Sequence, residues 1–436
     1  MGFVRNTASV FATTAVSIPL ALATNVLLAR QLSVSDRGVY ALAATFSLIA
    51  YVLTQLGWGE AAIYRMRRHG VAPRRILGTG LAVNIALCAV LLAACALLAG
   101  PITRTLLGGM PLGLFQIAMW TAALLVFGDF LRAVARGLDR FDLHNWFGFL
   151  QSAGMLALLA IVLLWGSGGV RGALWAGLLV QALLVALFLG VIARATGVEP
   201  RVDLPETRAH LRFALAMYPQ ALLNYLHERI DVFILAWLGI ASGQIALYAV
   251  AVSVIVPLQL IPGAVGTALL PELAAQRDGS AAGFAASVAR QISMQMAAIA
   301  LALAPAGMIG IPLLFGDDYR DAVPAFLLLL PGMAALASSR VLGRYFAIVG
   351  QQRVVTVARA CALLLNVGLN LALVPRLGIT GAALAALLSY LFESVAVAFG
   401  FVHISGSSFI GAFAWRRSDL EPYLARARAL RARARH

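Results

Sequence analysis

The sequence predicts an all-α polytopic membrane protein, with about twelve transmembrane helices in two six-helix lobes related by a pseudo-twofold along the membrane normal. Three observations carry that expectation. Apolar residues make up 61% of the 436 positions and charged residues only 12%, too few to cover a water-soluble surface. Apolar stretches of roughly 20 residues recur along nearly the whole length, each long enough to cross a hydrocarbon core of about 30 Å. The second half of the chain also repeats features of the first at a near-constant offset. A closed β-barrel is the other structure that spans lipid with every backbone group satisfied, but it shows alternating segments of about 10 residues, and these runs are uniform.

The predicted spans fall at 7–30, 38–64, 76–99, 112–135, 143–166, 170–193, 213–240, 244–270, 284–315, 322–348, 352–374 and 378–402. Before the first stands one arginine, Arg5; the span itself is dotted with Thr and Ser and lacks a small-residue cleavage site, so it is expected to be retained. The cysteines, Cys88, Cys95 and Cys361, all fall inside predicted spans, and no disulfide framework is expected. Residues 194–212, with Glu199, Pro200, Pro205 and Glu206, form the longest internal polar stretch and read as the linker between lobes. The expected division is a lobe over 1–200, a second over 201–405, and a basic tail over 406–436.

Orientation follows from the basic residues, every one an arginine, since the chain has no lysine. One set of connections carries Arg65, Arg67, Arg68, Arg74 and Arg75, then Arg132, Arg136 and Arg140, then Arg194, Arg201, Arg208 and Arg212, and the tail adds seven more. The opposite face has scattered ones such as Arg37, Arg104, Arg171 and Arg376, with the acidic Asp317, Asp318 and Asp321. By the positive-inside rule both termini are cytoplasmic. The same rule accounts for most of the net charge of +15, so no nucleic-acid partner is expected. The tail either rests on anionic lipid headgroups or is solvated.

The repeat is visible in three pairs. Leu28-Ala29-Arg30, a short loop and Gly38-Val39-Tyr40-Ala41 are echoed by Leu235-Ala236-Trp237, a loop and Ala246-Leu247-Tyr248-Ala249. Arg136-Gly137 with Arg140 matches Val349-Gly350 with Arg353, and Val170-Arg171-Gly172-Ala173 matches Ile379-Thr380-Gly381-Ala382. An even number of spans per repeat gives both copies the same orientation, and such parallel repeats rock about a site between them.

Polar residues are concentrated in three spans. Thr7, Thr14, Ser17 and Thr24 share a face of the first, with Asn25 beside them and Pro19 as a kink point. Ser47, Tyr51, Thr54, Gln55 and Trp58 do the same in the second, and Gln220, Asn224, His227, Glu228 and Asp231 in the seventh. Either the stripes share a polar space, or their hydroxyls pack helices together in lipid. The sharpest feature is His227-Glu228-Arg229-Ile230-Asp231 near mid-span, where an ionised group costs at least roughly 2.5–3.5 kcal/mol. His227 and Asp231 stand one turn apart; Glu228 and Asp231 share a face, which raises one carboxyl pKa by like-charge repulsion. The run is either an ion-pair network holding the span in register or a functional centre. Glu60, Asp129, Arg290, Arg340, Arg344 and Glu393 are further candidates, with Glu393 the best second proton or cation site.

In Leu28-Ala29-Arg30-Gln31-Leu32, Gly38-Val39-Tyr40-Ala41-Leu42, Leu56-Gly57-Trp58-Gly59, Arg136-Gly137-Leu138-Asp139-Arg140-Phe141 and Arg229-Ile230-Asp231, the chain resembles the polysaccharide flippases of the MOP superfamily, which also holds multidrug-extrusion transporters and the lipid II flippase. Glu60 after the glycine pair and His227-Glu228 before Arg229 depart from the usual pattern. The resemblance implies a carrier that moves polyprenyl-diphosphate-linked oligosaccharide from the cytoplasmic to the periplasmic leaflet of the bacterial inner membrane by a rocker-switch motion. It works within bilayer lipid beside polysaccharide assembly proteins, coupled to a proton or sodium gradient and without a cofactor. On that reading Arg229, Arg340 and Arg344 attract the diphosphate, although the position of the last two at the cytoplasmic end of their span favours a plain positive-inside flank for them. Asn25, Gln55 and Asn224 meet the sugar, and Glu228, Asp231, Glu393 and His227 carry the coupling ion.

An enzyme such as a glycan polymerase or ligase is disfavoured: no Gly-rich phosphate loop follows a strand, no Cys/His set has zinc-ligand spacing, and the loops are short. No Walker motif supports an ATP-driven pump. The main rival is a multidrug or toxin antiporter of the same fold, whose cavity would be apolar and aromatic with a few acids.

Overall fold

The computed structural model describes residues 2–166, 168–199, 204–276, 280–409 and 414–415. The regular elements among them are all helical. The first half comprises α1 (Gly2–Gln31), α2 (Val34–Gln55), α3 (Trp58–His69), α4 (Pro73–Leu97), α5 (Leu112–Gly137), α6 (Phe141–Leu164) and α7 (Gly169–Thr196). The second comprises α8 (Leu204–Trp237), α9 (Ser242–Ile255), α10 (Leu260–Ala275), α11 (Ala281–Phe315), α12 (Val323–Ile348) and α13 (Arg353–Ser405). Arg201 and most of the basic tail lie outside the described residues, as do the side chains of Thr7 and Thr14.

Nine segments among the described residues are long and apolar enough to cross a membrane. One of them, α13, contains two predicted spans: Gly378 (φ 58°, ψ −135°) reverses the chain. The arms on either side run antiparallel, because Asn366 meets Ser389 and, further from the turn, Arg359 meets Glu393. With α1 and the charge-bearing α8 the twelve predicted spans are all represented by helix. Two of them are not continuous. The second breaks where Leu56 and Gly57 both take left-handed backbone angles (φ 46° and 72°), a conformation that glycine adopts without penalty. The eighth passes through a 3-10 turn at Val256–Gln259, where Pro257 supplies no N–H for an α-helical bond.

Helix pairings of the first half recur in the second. α1 packs on α6 and α5 on α2 and α7; correspondingly α8 packs on α13, and α12 on α9, α10 and α13. Alanines 382, 383, 385 and 386 are fully buried, the small-residue packing that lets helices approach where lipid gives no hydrophobic drive. The perimeter is the inverse: Val90, Leu97, Leu183, Leu301, Ile309 and Leu364 are exposed, as a lipid-facing belt requires, and Trp165, Trp175 and Trp237 stand exposed near helix ends.

The halves meet along two seams. At the arginine-rich end, α3 and the start of α8 are joined by rings: Trp58 stacks on His210 at 3.9 Å and Tyr64 on Phe213 at 4.1 Å. The break at Gly57 is what turns Trp58 into this contact. At the opposite end α2 crosses α9 so closely that a Cβ on Gly38 would lie 1.7 Å from the Ser242 carbonyl oxygen, so that no side chain fits there. Beside it the Ser35 and Ser242 hydroxyls touch at 2.6 Å, and Arg30 donates to the Leu313 and Leu314 carbonyls at the end of α11 (2.6 and 2.9 Å).

Candidate functional site

Successive residues of an α-helix point about 100° apart, so the run 227–231 on α8 distributes its side chains among three neighbours. His227 and Asp231, one turn apart, both enter the second half and are buried. They do not bond each other. His227 Nδ1 lies 3.0 Å from Glu393 Oε2 and its Nε2 3.2 Å from Ser389 Oγ. Glu393 in turn accepts from Arg359 Nη2 (2.8 Å) and Nε (3.1 Å). Asp231 accepts from the Tyr248 hydroxyl at 2.7 Å and from Asn370 Nδ2 at 2.9 Å, and Asn366 donates to Ser389. Five charged or titratable groups, Tyr248 among them, are thus joined through Ser389, Asn366 and Asn370 into a single buried network across α8, α9 and both arms of α13.

Glu228 points 100° away, toward α12, and pairs with Arg340 at 2.5 Å while accepting from Asn224 at 3.3 Å. The expected like-charge interaction of Glu228 with Asp231 is therefore replaced by separate partners for each. Arg340 is committed to Glu228 rather than forming a clamp with Arg344, which is exposed one turn on, against Gly266.

Arg229 faces the other half of the molecule. Its side chain lines a cavity of about 380 Å³ whose remaining wall belongs to α2, α5, α6 and α7. Thr45, Ser47, Thr121, Gln151 and Gln181 supply the polar groups there, and Tyr40, Leu48 and Met155 apolar surface. Among the described residues Arg229 has neither carboxylate partner nor hydrogen bond, so a half-buried guanidinium looks into a space bounded by neutral dipoles. A positive charge held at low dielectric among hydroxyls and amides attracts an anion and repels a cation.

Other expectations resolve differently. Asn25 accepts from Arg37 at 2.7 Å, and Gln55 sits in the last turn before the α2 break; neither lines the cavity. Asp129 pairs with Arg132 at 3.4 Å and Glu60 with Arg136 at 3.1 Å, near the arginine-rich end. Most hydroxyls of the stripes turn back on their own helices: Ser17, Thr24, Ser47 and Thr54 each donate to the carbonyl four residues earlier, as Thr121 does on the cavity wall, and Ser47 also lies 2.8 Å from the Ala118 carbonyl of α5. Of these donors only Ser47 reaches another helix, so packing between helices accounts for it alone; the amides are engaged as well, Asn25 donating to the Ala21 carbonyl at 2.9 Å and Asn224 to Glu228 at 3.3 Å. Arg359, Asn366, Asn370, Gln151 and Gln181 were not singled out from sequence; the i, i+4 spacing of Asn366 and Asn370 inside an apolar run is the signal that marks one face. Among the described residues no group of three His, Cys, Asp or Glu side chains converges as a metal ion requires.

A twelve-span helical bundle with recurring pairings, two seams and a polar interior has the architecture of a multi-pass membrane protein. Solved structures bear this out at the level of fold. The chain is similar to a multidrug resistance MATE family transporter of the MOP superfamily in an inward-facing conformation (17% identity, TM-score 0.70, covering 92% of this chain and 98% of that one). It is similar to the lipid II flippase MurJ in an inward closed conformation (14%, 0.68, 91% and 89%). A third is a MOP superfamily transporter from Pyrococcus furiosus, described as having a binding pocket of reverse polarity (16%, 0.65, 93% and 95%). No match is found among curated protein sequences. The profile of the polysaccharide biosynthesis protein family matches residues 27–324, and the chain belongs to that family.

Proposed function

We propose that this protein flips polyprenyl-diphosphate-linked oligosaccharide across the bacterial inner membrane, with the arginine-rich end and both termini in the cytoplasm. One observation carries the reading: Arg229 presents an uncompensated positive charge to a cavity walled by amides and hydroxyls. A diphosphate complements the guanidinium fork, and sugar hydroxyls complement Gln151 and Gln181. A multidrug antiporter selects cations, for which this cavity is the wrong sign: Glu228 and Glu393 are already held by Arg340 and Arg359. The lobes are taken as 1–200 and 201–405, rocking about the two seams, with residues 406–436 as a cytoplasmic tail. Arg340 and Arg344 line the cytoplasmic approach, and Asn25, Gln55 and Asn224 contribute polar surface as the cavity changes shape. His227, Glu228, Asp231 and Glu393 take up the proton or sodium ion whose differential affinity for the two states drives the swing.

The test is reconstitution of the full chain in vesicles carrying a lectin-detectable polyprenyl-diphosphate oligosaccharide, scored by its appearance in the opposite leaflet. Unmutated protein accelerates flipping and Arg229→Ala does not. Equal rates for the two, or efflux of cationic dyes in place of glycolipid movement, would overturn the proposal.

A further inference from the structure

The half-buried and buried arginines of the interior mostly meet an acid: Arg359 meets Glu393, Arg340 meets Glu228, Arg132 meets Asp129, and Arg136 meets Glu60. Arg37, in the first turns of α2, departs from this. It is 3% exposed, and its Nη2 donates 2.7 Å to the Asn25 side-chain oxygen, a neutral partner. Its guanidinium lies over the Tyr40 ring at 5.4 Å, and its Nε is buried with no hydrogen-bond partner. The neighbouring carboxylate, Asp36, is turned to Ser33. Across the seam, on the turn between α11 and α12, Tyr319 is 1% exposed and within electrostatic range of Arg37, and its hydroxyl is likewise buried without a partner. Two buried donors with unmet hydrogen-bonding capacity, one from each half, thus lie within electrostatic range of each other at the end where Gly38 crosses Ser242. A buried guanidinium without a counter-charge is costly, and holding Asn25 uses one of its five donors.

The position relates to the cavity. Tyr40 lines the space that Arg229 faces, and Arg37 lies three residues earlier on the same helix, about 4.5 Å nearer the end away from the arginine-rich face. Tyr40 thus separates two arginines that lack acid partners.

We propose that Arg37, with Tyr319, is a second binding station for the diphosphate of the lipid-linked cargo, reached from the Arg229 cavity when the Gly38–Ser242 seam parts on the periplasmic side. This rests on the flippase reading above. As the halves separate, the diphosphate passes Tyr40 and exchanges one guanidinium for another, so that its charge is met at both depths. Closure of the seam then returns Arg37 to Asn25 and releases the lipid to the outer leaflet.

The test uses the full chain in detergent, with Cys88, Cys95 and Cys361 replaced by alanine and Ser35→Cys paired with Ser242→Cys, so that oxidation locks the seam shut. The probes are polyprenyl diphosphate and inorganic diphosphate, measured as equilibrium Kd. In the reduced protein Arg37→Gln weakens polyprenyl diphosphate binding about tenfold or more and Arg37→Lys less, as loss of one charged hydrogen-bonding partner predicts. In the oxidised protein neither substitution changes Kd, whereas Arg229→Gln weakens both forms. Tyr319→Phe removes a buried unpaired hydroxyl, which leaves the fold unharmed; a severalfold loss of binding in the reduced form therefore reports the site itself. Unchanged Kd in reduced Arg37→Gln and Tyr319→Phe overturns the station, as does an equal loss in the locked form, which marks a structural role. A loss confined to inorganic diphosphate assigns the pocket to a free anion and overturns the lipid assignment. If the unmutated protein binds no polyprenyl diphosphate in either form, the flippase reading itself falls.

Discussion

The two halves treat charge in opposite ways. In the second, His227, Asp231, Arg359 and Glu393 are buried and each has a partner, down to the serine and asparagines that join them. In the first, the cavity is open, its polar groups are neutral, and the single formal charge that enters it, Arg229, comes from the other half. One five-residue run on α8 serves both environments. A network in which every charge is paired, though the Asn370 side-chain oxygen is left without a partner, fixes α8 against α13 and stores a titratable group; Arg229 stands as an unpaired cation beside free volume. The contrast is between where the protein holds itself together and where, on the function proposed above, it holds cargo.

The largest expected effect is on the satisfied side. Glu393→Ala strands the buried Arg359 guanidinium, and removing one member of a buried pair costs about 3–5 kcal/mol. Thermal unfolding of the detergent-purified protein should show a large drop, mostly recovered when Arg359→Met is added, because the orphaned charge then goes too. A melting temperature unchanged by Glu393→Ala would break the comparison at its root.

Next is Arg229→Ala, expected to shift stability by less than about 1 kcal/mol, since no partner is left behind. Its effect falls on cargo. Losing a charged hydrogen-bonding partner of about 1.5–3 kcal/mol corresponds to roughly tenfold to hundredfold weaker binding. A variant that unfolds early while still binding polyprenyl diphosphate would place Arg229 with the structural network instead.

How far this contrast was legible beforehand depends on the length scale of the signal. Most of the twelve spans follow from apolar length, which a bilayer imposes, the charge-bearing α8 excepted, and the repeat follows from short strings such as Val170-Arg171-Gly172-Ala173 and Ile379-Thr380-Gly381-Ala382. The importance of 227–231 was equally plain, since five polar residues in mid-span demand partners. Which partners was not, because Glu393 and Arg359 belong to a hairpin more than 100 residues away, and only the three-dimensional path of α13 brings them to His227. The break at Leu56-Gly57 is hidden for a related reason: the apolar run continues through it, and the contact it makes possible, Trp58 on His210, joins residues 152 positions apart. Arg37 looked like one of a few stray arginines on the sparse face, and its lack of an acid is a fact of packing.

The Glu228–Arg340 pair lies between the two extremes. Both side chains keep about a quarter of their surface exposed, at 22% and 25%, so solvent screens the interaction. Arg340→Gln should cost about 1 kcal/mol of stability, and Glu228→Arg with Arg340→Glu should restore most of it if charge pairing is what matters. Transport by the swapped protein sharpens the division: near-normal flipping marks the pair as structural, whereas lost flipping with restored stability assigns Glu228 to the coupling ion.

The smallest difference expected lies within the cavity wall, between its hydroxyls and its amides. Thr121 spends its proton on the Ile117 carbonyl at 2.8 Å, so Thr121→Val removes only an acceptor from the wall, and flipping should change less than about twofold. Gln151 donates to Gln181 at 3.1 Å, and Gln181 to the Leu124 carbonyl at 3.4 Å, which leaves each amide with further hydrogen-bonding capacity toward the cavity. Gln151→Leu both removes a sugar-facing amide and uncouples Gln181, and a loss of roughly fivefold to tenfold is expected from one neutral hydrogen bond of about 1 kcal/mol plus that reorientation. The pair is best read as Kd for a lipid-linked oligosaccharide against Kd for the bare polyprenyl diphosphate. If Gln151→Leu weakens only the former, the amides read sugar while Arg229 reads the diphosphate; if it weakens both equally, the cavity senses charge alone and the amides merely shape it.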